Sequence, residues 1–233
     1  MTETEIQHWN KELDNRPAEE IIEKAFSFIK GKKVISISTQ VEDIVLLDMI
    51  LKQGLDIKAY TLDTGRLHEE TLLMIDKIHF KYNIPVEVYF PDAEKIESLV
   101  TRKGMFSFKE AIENRKECCH LRKVEPNQRA LKGASLWVTG LRREQSPDRK
   151  DTPVLEKSGE LFKVNPLVNW SWDALEKYAV DNKLPMHPLY KKGFLSIGCA
   201  PCTRAVEPGE DMRAGRWWWE NADLKECGLH VHG

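Results

Sequence analysis

Charge of either sign is not in surplus in this chain: 35 Lys and Arg stand against 37 Asp and Glu, for a net charge of −2. No overall positive field draws it to nucleic acid or an anionic membrane, so any anion site has to be built locally. No apolar run approaches the roughly 20 residues that cross a bilayer. The opening residues, MTETEIQHW, hold no basic segment followed by an apolar stretch, so the expectation is a chain that is not exported and works in the cytoplasm. Internal repeats and low-complexity stretches are missing, which argues against solenoids and coiled coils. Neither Gly-x-Gly-x-x-Gly nor Gly-Lys-Ser/Thr occurs, which excludes a dinucleotide fingerprint and a Walker-type loop. Cysteine is sparse, five in 233 residues. The five fall as an adjacent pair, Cys118-Cys119, a Cys-x-x-Cys pair, Cys199 and Cys202, and the singleton Cys227. In a reducing compartment these are thiols, four to hold something and one to react.

What is present is alternation. Apolar residues at helical spacing follow Pro17 and stop at Gly31, and Lys33–Ser38 reads as a β-branched strand. A helix over 42–52, a strand over 57–62, a helix over 69–82, a strand over 86–89 and a helix over 93–102 follow. A helix over 121–131, a strand over 136–139 and a late helix over 172–182 complete the pattern. Strands alternating with helices imply right-handed crossovers, so the fold class expected is α/β, a mainly parallel twisted sheet flanked by helices. From Pro208 the composition changes to Gly, Arg, Trp and Glu without a period. The expected organisation is one α/β nucleotide-binding domain over 1–207 and a mobile tail over 208–233 that docks or moves.

Ligands of open α/β sheets bind beyond the C-terminal ends of strands. The first such turn, Ser38-Thr39-Gln40-Val41-Glu42-Asp43, offers hydroxyls and a helix N-terminus to a phosphate, or else an ordinary cap with Ser38 or Thr39 as N-cap and Glu42 in a capping box. The second, Asp63-Thr64-Gly65-Arg66, has a glycine that admits a flat ligand and an arginine for an anion. A cationic loop, Arg142-Arg143-Glu144-Gln145-Ser146-Pro147-Asp148-Arg149, follows another strand, and Arg213 and Arg216 stand beside Trp217-Trp218-Trp219. These guanidinium groups either bind phosphate and sulfate or pair with the many glutamates.

Adjacent cysteines point apart in most backbones, which suits a single zinc ion badly, whereas a cubane spreads its four attachment points over four irons. The two pairs therefore suggest [4Fe–4S]. Lys123, four residues after Cys119, brings a positive charge toward that group if the helix continues. Lys225 and His230 near Cys227 favour its thiolate, and Gly228 leaves the sulfur accessible.

Taken together, Leu-Asp-Thr-Gly-Arg, Cys-Cys-His-Leu-Arg-Lys-Val-Glu-Pro, Thr-Gly-Leu-Arg-Arg-Glu-Gln-Ser, Gly-Cys-Ala-Pro-Cys-Thr-Arg, Gly-Arg-Trp-Trp-Trp-Glu and Glu-Cys-Gly-Leu-His resemble, in order, the assimilatory adenylyl-sulfate (APS) reductases. These are the cluster-bearing branch of the APS and 3′-phospho-APS (PAPS) reductase family. The resemblance runs from Ser38 to the last residues. It implies an adenine nucleotide alpha hydrolase-like fold, a [4Fe–4S] cluster on Cys118, Cys119, Cys199 and Cys202, and Cys227 as nucleophile. Substrate contacts are implied at Ser38, Thr39, Asp63, Gly65, Arg66, Lys123, Arg149, Arg213 and Arg216. One departure is Gln40-Val41, where such enzymes commonly carry small Gly-Ala-type residues.

The chemistry so implied is attack of Cys227 on the sulfur of APS, leaving S-sulfocysteine and AMP. With four cysteines engaged, no second thiol remains to resolve the intermediate. An external dithiol is needed, which the resemblance names as thioredoxin. The cluster is expected to act through charge, not electron transfer. PAPS reduction, alone or beside APS, is the nearest alternative. An ATP-using sulfurtransferase or ATP sulfurylase subunit would share the Ser38 turn without needing Glu-Cys-Gly-Leu-His. A metal-bearing DNA regulator has no support from the net charge. A homo-oligomer is compatible with the sequence, which does not specify one.

Overall fold

A computed structural model describes residues 1–220 of the chain. They pack as two compact units, one of residues 1–60, 73–86 and 133–187, the other of 61–72, 87–132 and 188–220. Composition divides the sequence at 207, whereas packing groups 188–220 with the loop 61–72 and with 87–132.

In the first unit α1 (Glu3–Leu13) starts at a capping box. Thr2 Oγ1 accepts from the Glu5 N–H, and the Thr2 N–H donates to the Glu5 carboxylate, burying Ile6, Trp9 and Leu13 on one face. α2 (Ala18–Phe28) turns Ile21, Ile22, Ala25 and Phe26 inward at the spacing read from the sequence. β1 (Lys32–Ser36) leads to α3 (Val41–Lys52), whose residues 41–50 are all buried, which is why it lacks a polar face. β2 (Lys58–Leu62), α4 (Glu69–Tyr82) and β3 (Val86–Tyr89) follow. β4 (Ala134–Val138), the hairpin of β5 (Leu155–Ser158) and β6 (Leu161–Val164), and a final helix (Trp172–Asp181) come later in the chain.

The sheet runs β3-β2-β1-β4-β6-β5. β1 pairs in parallel with both β2 and β4, β4 pairs in parallel with β6, and only the β5–β6 hairpin is recorded as antiparallel. The chain thus leaves β1 toward β2 on one side and returns to β4 on the other. That makes the C-terminal ends of β1 and β4 the topological switch point, where α/β sheets open a crevice for ligands.

The second unit is helical and looped. α5 (Ala93–Lys103) is capped by Asp92, whose side chain accepts from the Lys95 N–H. α6 (Ile112–Cys119) passes through one π-helical turn, His120–Val124, into α7 (Glu125–Leu131). The late helix Trp172–Asp181 is therefore α8. The second unit's core gathers Phe108, Cys199, Cys202 and Trp217, with Cys118, Cys119 and Trp219 against it. Residues 203–217 double back: Thr203 bridges Arg216, the Arg204 N–H reaches the Gly215 carbonyl at 3.0 Å and the Trp217 N–H reaches the Cys202 carbonyl at 3.1 Å. No helix among the described residues is long and apolar enough to cross a membrane.

Candidate functional site

The turn after β1 differs from the cap expected of it. Gln40 is the N-cap of α3, its side chain makes no cap bond, and neither Ser38 nor Thr39 plays that part. Ser38 instead turns to Asp43, whose Oδ2 accepts the Ser38 N–H at 2.7 Å and the Oγ–H at 2.5 Å. Full burial, with Glu42 adjacent, pushes the Asp43 carboxyl up to about 7 despite the two bonds from Ser38 that favour its charge. Thr39 is fully buried in the left-handed region, φ +68, an unfavourable place for a β-branched residue, and its Oγ1 has no hydrogen-bond partner. Strain of this kind collects where a backbone has to present its groups to something.

The end of β4 closes on the same helix. A Cβ at Gly140 would sit 2.6 Å from Glu42 Cβ and 2.9 Å from Asp43 Oδ1, so only glycine permits the approach. Beyond it, Arg142 is wholly buried: its Nε donates to Glu42 Oε1 at 3.1 Å and Nη1 to the Trp170 carbonyl at 3.0 Å. Arg143 is held by Asp14, Asn169 and the Thr152 carbonyl. These two arginines, read from the sequence as part of a cationic anion loop, are occupied by partners in the fold. Gln145 donates to Glu42 and accepts from Arg149, which places the half-buried Arg149 at the edge of the same network.

In the second unit the turn after β2 is an Asx turn, with the Gly65 N–H on Asp63 Oδ1 at 2.8 Å and Gly65 at φ +68. Arg66 lies over Phe108, 4.9 Å from its centroid, and donates to the Met105 carbonyl. Its own carbonyl accepts the Ala200 N–H at 2.8 Å, fastening the Cys-x-x-Cys loop to this turn. Thr64 Oγ1 is 3.3 Å from Cys199 Sγ.

Cys118 and Cys119 end α6 where the helix widens into its π turn, closed by the Glu125 N–H on the His120 carbonyl. Five-residue closure replaces the α spacing expected across this segment, so Lys123 is one π turn from Cys118, not one α turn from Cys119. The outcome is that Cys118, Cys119, Cys199 and Cys202 line one cavity, of about 290 Å³ counted out to open solvent. Phe108 and four cations, Arg66, Arg115, Arg122 and Lys123, supply the rest of the wall, and among the described residues no carboxylate does. Arg122 is buried and donates to the Thr64 carbonyl at 2.6 Å, and Arg115 is buried against Glu220 at 2.8 Å.

The electrostatics are divided. Burial raises the Cys118 thiol, with Arg122 and Arg66 opposing. Burial also works on Cys199, but Lys123, Thr64, Arg216 and Arg122 outweigh it and hold that thiol below its usual value. Cys202 is pushed up to about 12 by burial and by Cys199 and Cys119, against Lys123 and Arg216. Around the cavity, Arg122 Nε, Arg216 Nε, Trp217 Nε1 and Trp219 Nε1 are buried donors without an acceptor, a rare condition in a finished interior. No three His, Cys, Asp or Glu among the described residues are spaced to hold a single metal ion. One zinc needs its thiolates about 3.8 Å apart, from 2.3 Å bonds at tetrahedral angles. A cubane meets its cysteines at four separate irons. Converging thiols, spare N–H donors and an acid-free cationic wall fit a polynuclear group whose cluster and thiolates together carry negative charge.

The structure thus brings the four cysteines, Arg66 and Lys123 to one cavity, with the Asp63–Gly65 turn beside it. Ser38, Thr39 and Arg149 belong to the β1–β4 end of the first unit. Arg213 is half-buried, and Arg216 is buried between the Cys199 loop and Trp217. Cys227, with its neighbours Lys225 and His230, lies outside the described residues. Sequence reasoning did not single out Thr64, Phe108, Arg115 or Arg122. Thr64 and Arg122 stand inside motifs already noted, while Arg115 carries no sequence signal.

Residues 32–205 match the model of the phosphoadenosine phosphosulfate reductase domain. The chain is 45% identical over 205 residues to adenosine 5′-phosphosulfate reductase of Rhizobium meliloti (strain 1021), covering 87% of this chain and 77% of that protein. It is 51% identical over 173 residues to the enzyme of the same name from Rhizobium tropici, covering 73% and 96%. Among solved structures, phosphoadenylyl-sulfate (PAPS) reductase from Candida auris, a phosphate complex, superposes with a TM-score of 0.74 at 27% identity, over 88% of this chain and 98% of that one. Candida glabrata FMN adenylyltransferase in complex with ATP shares the fold, TM-score 0.57 at 15% identity, over 95% and 75%. With that domain matched over residues 32–205 and relatives 45% and 51% identical, the chain belongs to the phosphoadenosine phosphosulfate reductase family.

Proposed function

We propose that this chain reduces adenosine 5′-phosphosulfate to sulfite and AMP, as a step of sulfate assimilation toward cysteine in the cytoplasm. One observation carries the reading beyond family membership: two cysteine pairs, 80 residues apart between Cys119 and Cys199, meet in one cation-lined cavity. The two Rhizobium relatives, 45% and 51% identical, are named for APS, which favours APS over PAPS as substrate. Turnover on the two nucleotides, compared side by side, separates them.

Cys118, Cys119, Cys199 and Cys202 are the residues to hold a [4Fe–4S] cluster. When bound, the cluster supplies fixed charge and ties the two cysteine segments together without taking up electrons. The residues assigned to the nucleotide are Ser38, Thr39, Asp63, Gly65, Arg66, Lys123, Arg149, Arg213 and Arg216. Their cations face charge that builds on the bridging oxygen as the S–O bond breaks, and losing one such donor costs about 3 kcal/mol of barrier, roughly a hundredfold in rate.

Cys227 is the nucleophile. Its thiolate bonds to the sulfur of the phosphosulfate as that sulfur's bond to the bridging oxygen breaks, giving S-sulfocysteine and AMP. A dithiol protein, thioredoxin, then attacks Cys227 Sγ, sulfite leaves, and the second thiol of the donor closes a disulfide and returns Cys227 as thiol. The donor loses two electrons and sulfur gains them. Intact-mass measurement under nonreducing conditions after APS addition is expected to find one sulfonate on the wild type and none on Cys227→Ser. Sulfite release by Cys227→Ser at the wild-type rate would remove Cys227 from the reaction.

A further inference from the structure

We propose that Gly198 is a positioning residue for the phosphosulfate, because its missing side chain is what allows the Arg216 guanidinium to lie across the backbone that carries Cys199. The inference rests on the reading that Arg216 meets that anion. A Cβ built at Gly198 would fall 2.5 Å from Arg216 Nη2, 2.6 Å from Cζ and 3.0 Å from Nη1, well inside van der Waals contact. The Trp217 ring stacks on the same guanidinium, 4.6 Å from Cζ. Arg216 is therefore confined in a slot whose one wall is a bare peptide and whose other is an indole.

The slot holds a buried cation. Arg216 is 6% exposed, forms no ion pair with a carboxylate among the described residues, and keeps its Nε buried without an acceptor. Its charge bears on the Cys199 and Cys202 thiols. A buried guanidinium in this condition calls for an anionic ligand. Its main chain is pinned at both ends, by the Thr203 bridge, the Arg216 N–H on the Arg213 carbonyl at 2.9 Å and the Trp217 N–H on the Cys202 carbonyl. A methyl group at position 198 leaves that ladder in place and displaces only the guanidinium head. Gly198 does not have the positive φ that would make alanine strained there, so the change isolates one contact.

The test uses the full chain with iron bound, in a Cys227→Ser background so that APS binding is read without transfer. Gly198→Ala, Arg216→Ala and the double variant are compared by anaerobic titration with APS, and the visible absorption of the bound iron reports on the cysteine loop. Gly198→Ala is expected to weaken APS about ten- to a hundredfold, the range for loss of one charge-assisted hydrogen-bonding partner, with the iron spectrum unchanged. The double variant is expected to bind no worse than Arg216→Ala alone, since both changes remove the same contact. If Arg216→Ala weakens APS and Gly198→Ala does not, or if the two losses add, the positioning role is refuted. A changed iron spectrum in Gly198→Ala would assign the glycine to the cysteine loop instead. Unaltered affinity in Arg216→Ala would overturn the underlying reading of Arg216 itself.

Discussion

Asparagine at position 43 should make the protein more stable in neutral solution and leave it no better in acid. Asp43 is shut inside the turn between β1 and α3, beside Glu42, with Ser38 as its hydrogen-bond donor through both N–H and Oγ–H. Burial raises its carboxyl from 3.8 to about 7. Below pH 3.8 the carboxyl is protonated folded and unfolded alike, and its contribution to stability is fully present. Between 3.8 and about 7 the unfolded chain ionises while the folded one keeps its proton, so stability falls as pH rises, by about 1.4 kcal/mol per unit. Across that window the loss is on the order of 4 kcal/mol. Above about 7 both states are ionised and the loss stays constant. Asp43→Asn keeps one oxygen to accept from Ser38 and cannot ionise, so the difference between variant and wild type cancels every other titrating group. Urea unfolding at unit steps from pH 4 to 8 is expected to show that difference growing with pH and levelling near 7. A difference that is flat with pH, or that grows toward acid, would refute the burial argument.

Two further outcomes follow from the packing. Glu42→Ala strands the wholly buried Arg142 and should cost about 3–5 kcal/mol, whereas Glu42→Ala with Arg142→Met should recover most of it; equal losses in single and double variants by urea unfolding would show that the pair is not the cause. Cys118→Ala or Cys202→Ala should lower the iron content of anaerobically prepared protein well below one cluster per chain, and undiminished iron in either would break the ligand assignment.

The elements readable in the sequence were those whose apolar residues repeat at one period over a long enough stretch. α2 with Ile21, Ile22, Ala25 and Phe26, and the β-branched β1 beside it, needed no tertiary knowledge. α1 escaped because three buried side chains, Ile6, Trp9 and Leu13, are diluted by polar neighbours, although Thr2 and Glu5 spelled a capping box. The β5–β6 hairpin escaped because its strands, Leu-Glu-Lys-Ser and Leu-Phe-Lys-Val, lack the β-branched alternation that marks the equally short β3, Val-Glu-Val-Tyr. The π turn was beyond reach in principle: apolar periodicity reports faces, not which carbonyl an N–H selects. The same limit governs the site. Two cysteine pairs announce a shared task by composition, so their meeting was legible. Whether an arginine is spent or spare was not, since Arg142 finds its acid 100 residues away and Arg115 finds Glu220 at a separation of 105.

Both kinds of cation occur in the fold, and their balance differs between the two units. Beside the β1 turn, Arg142 and Arg143 are both closed by carboxylates, Glu42 and Asp14. Around the cysteines Arg115 is closed by Glu220, whereas Arg66 and Arg122 are held by carbonyls and Arg216 by an aromatic ring and a glycine, and no acid among the described residues lines the cavity itself. A chain with 37 acidic residues could have placed one there. Leaving desolvated guanidinium groups uncompensated lowers the stability of the empty fold. Under the proposed function the anions that would relieve it are the cysteine thiolates with their cluster and the phosphosulfate. Each occupant then stabilises the same cations, so each should hold the wall in the geometry the other needs.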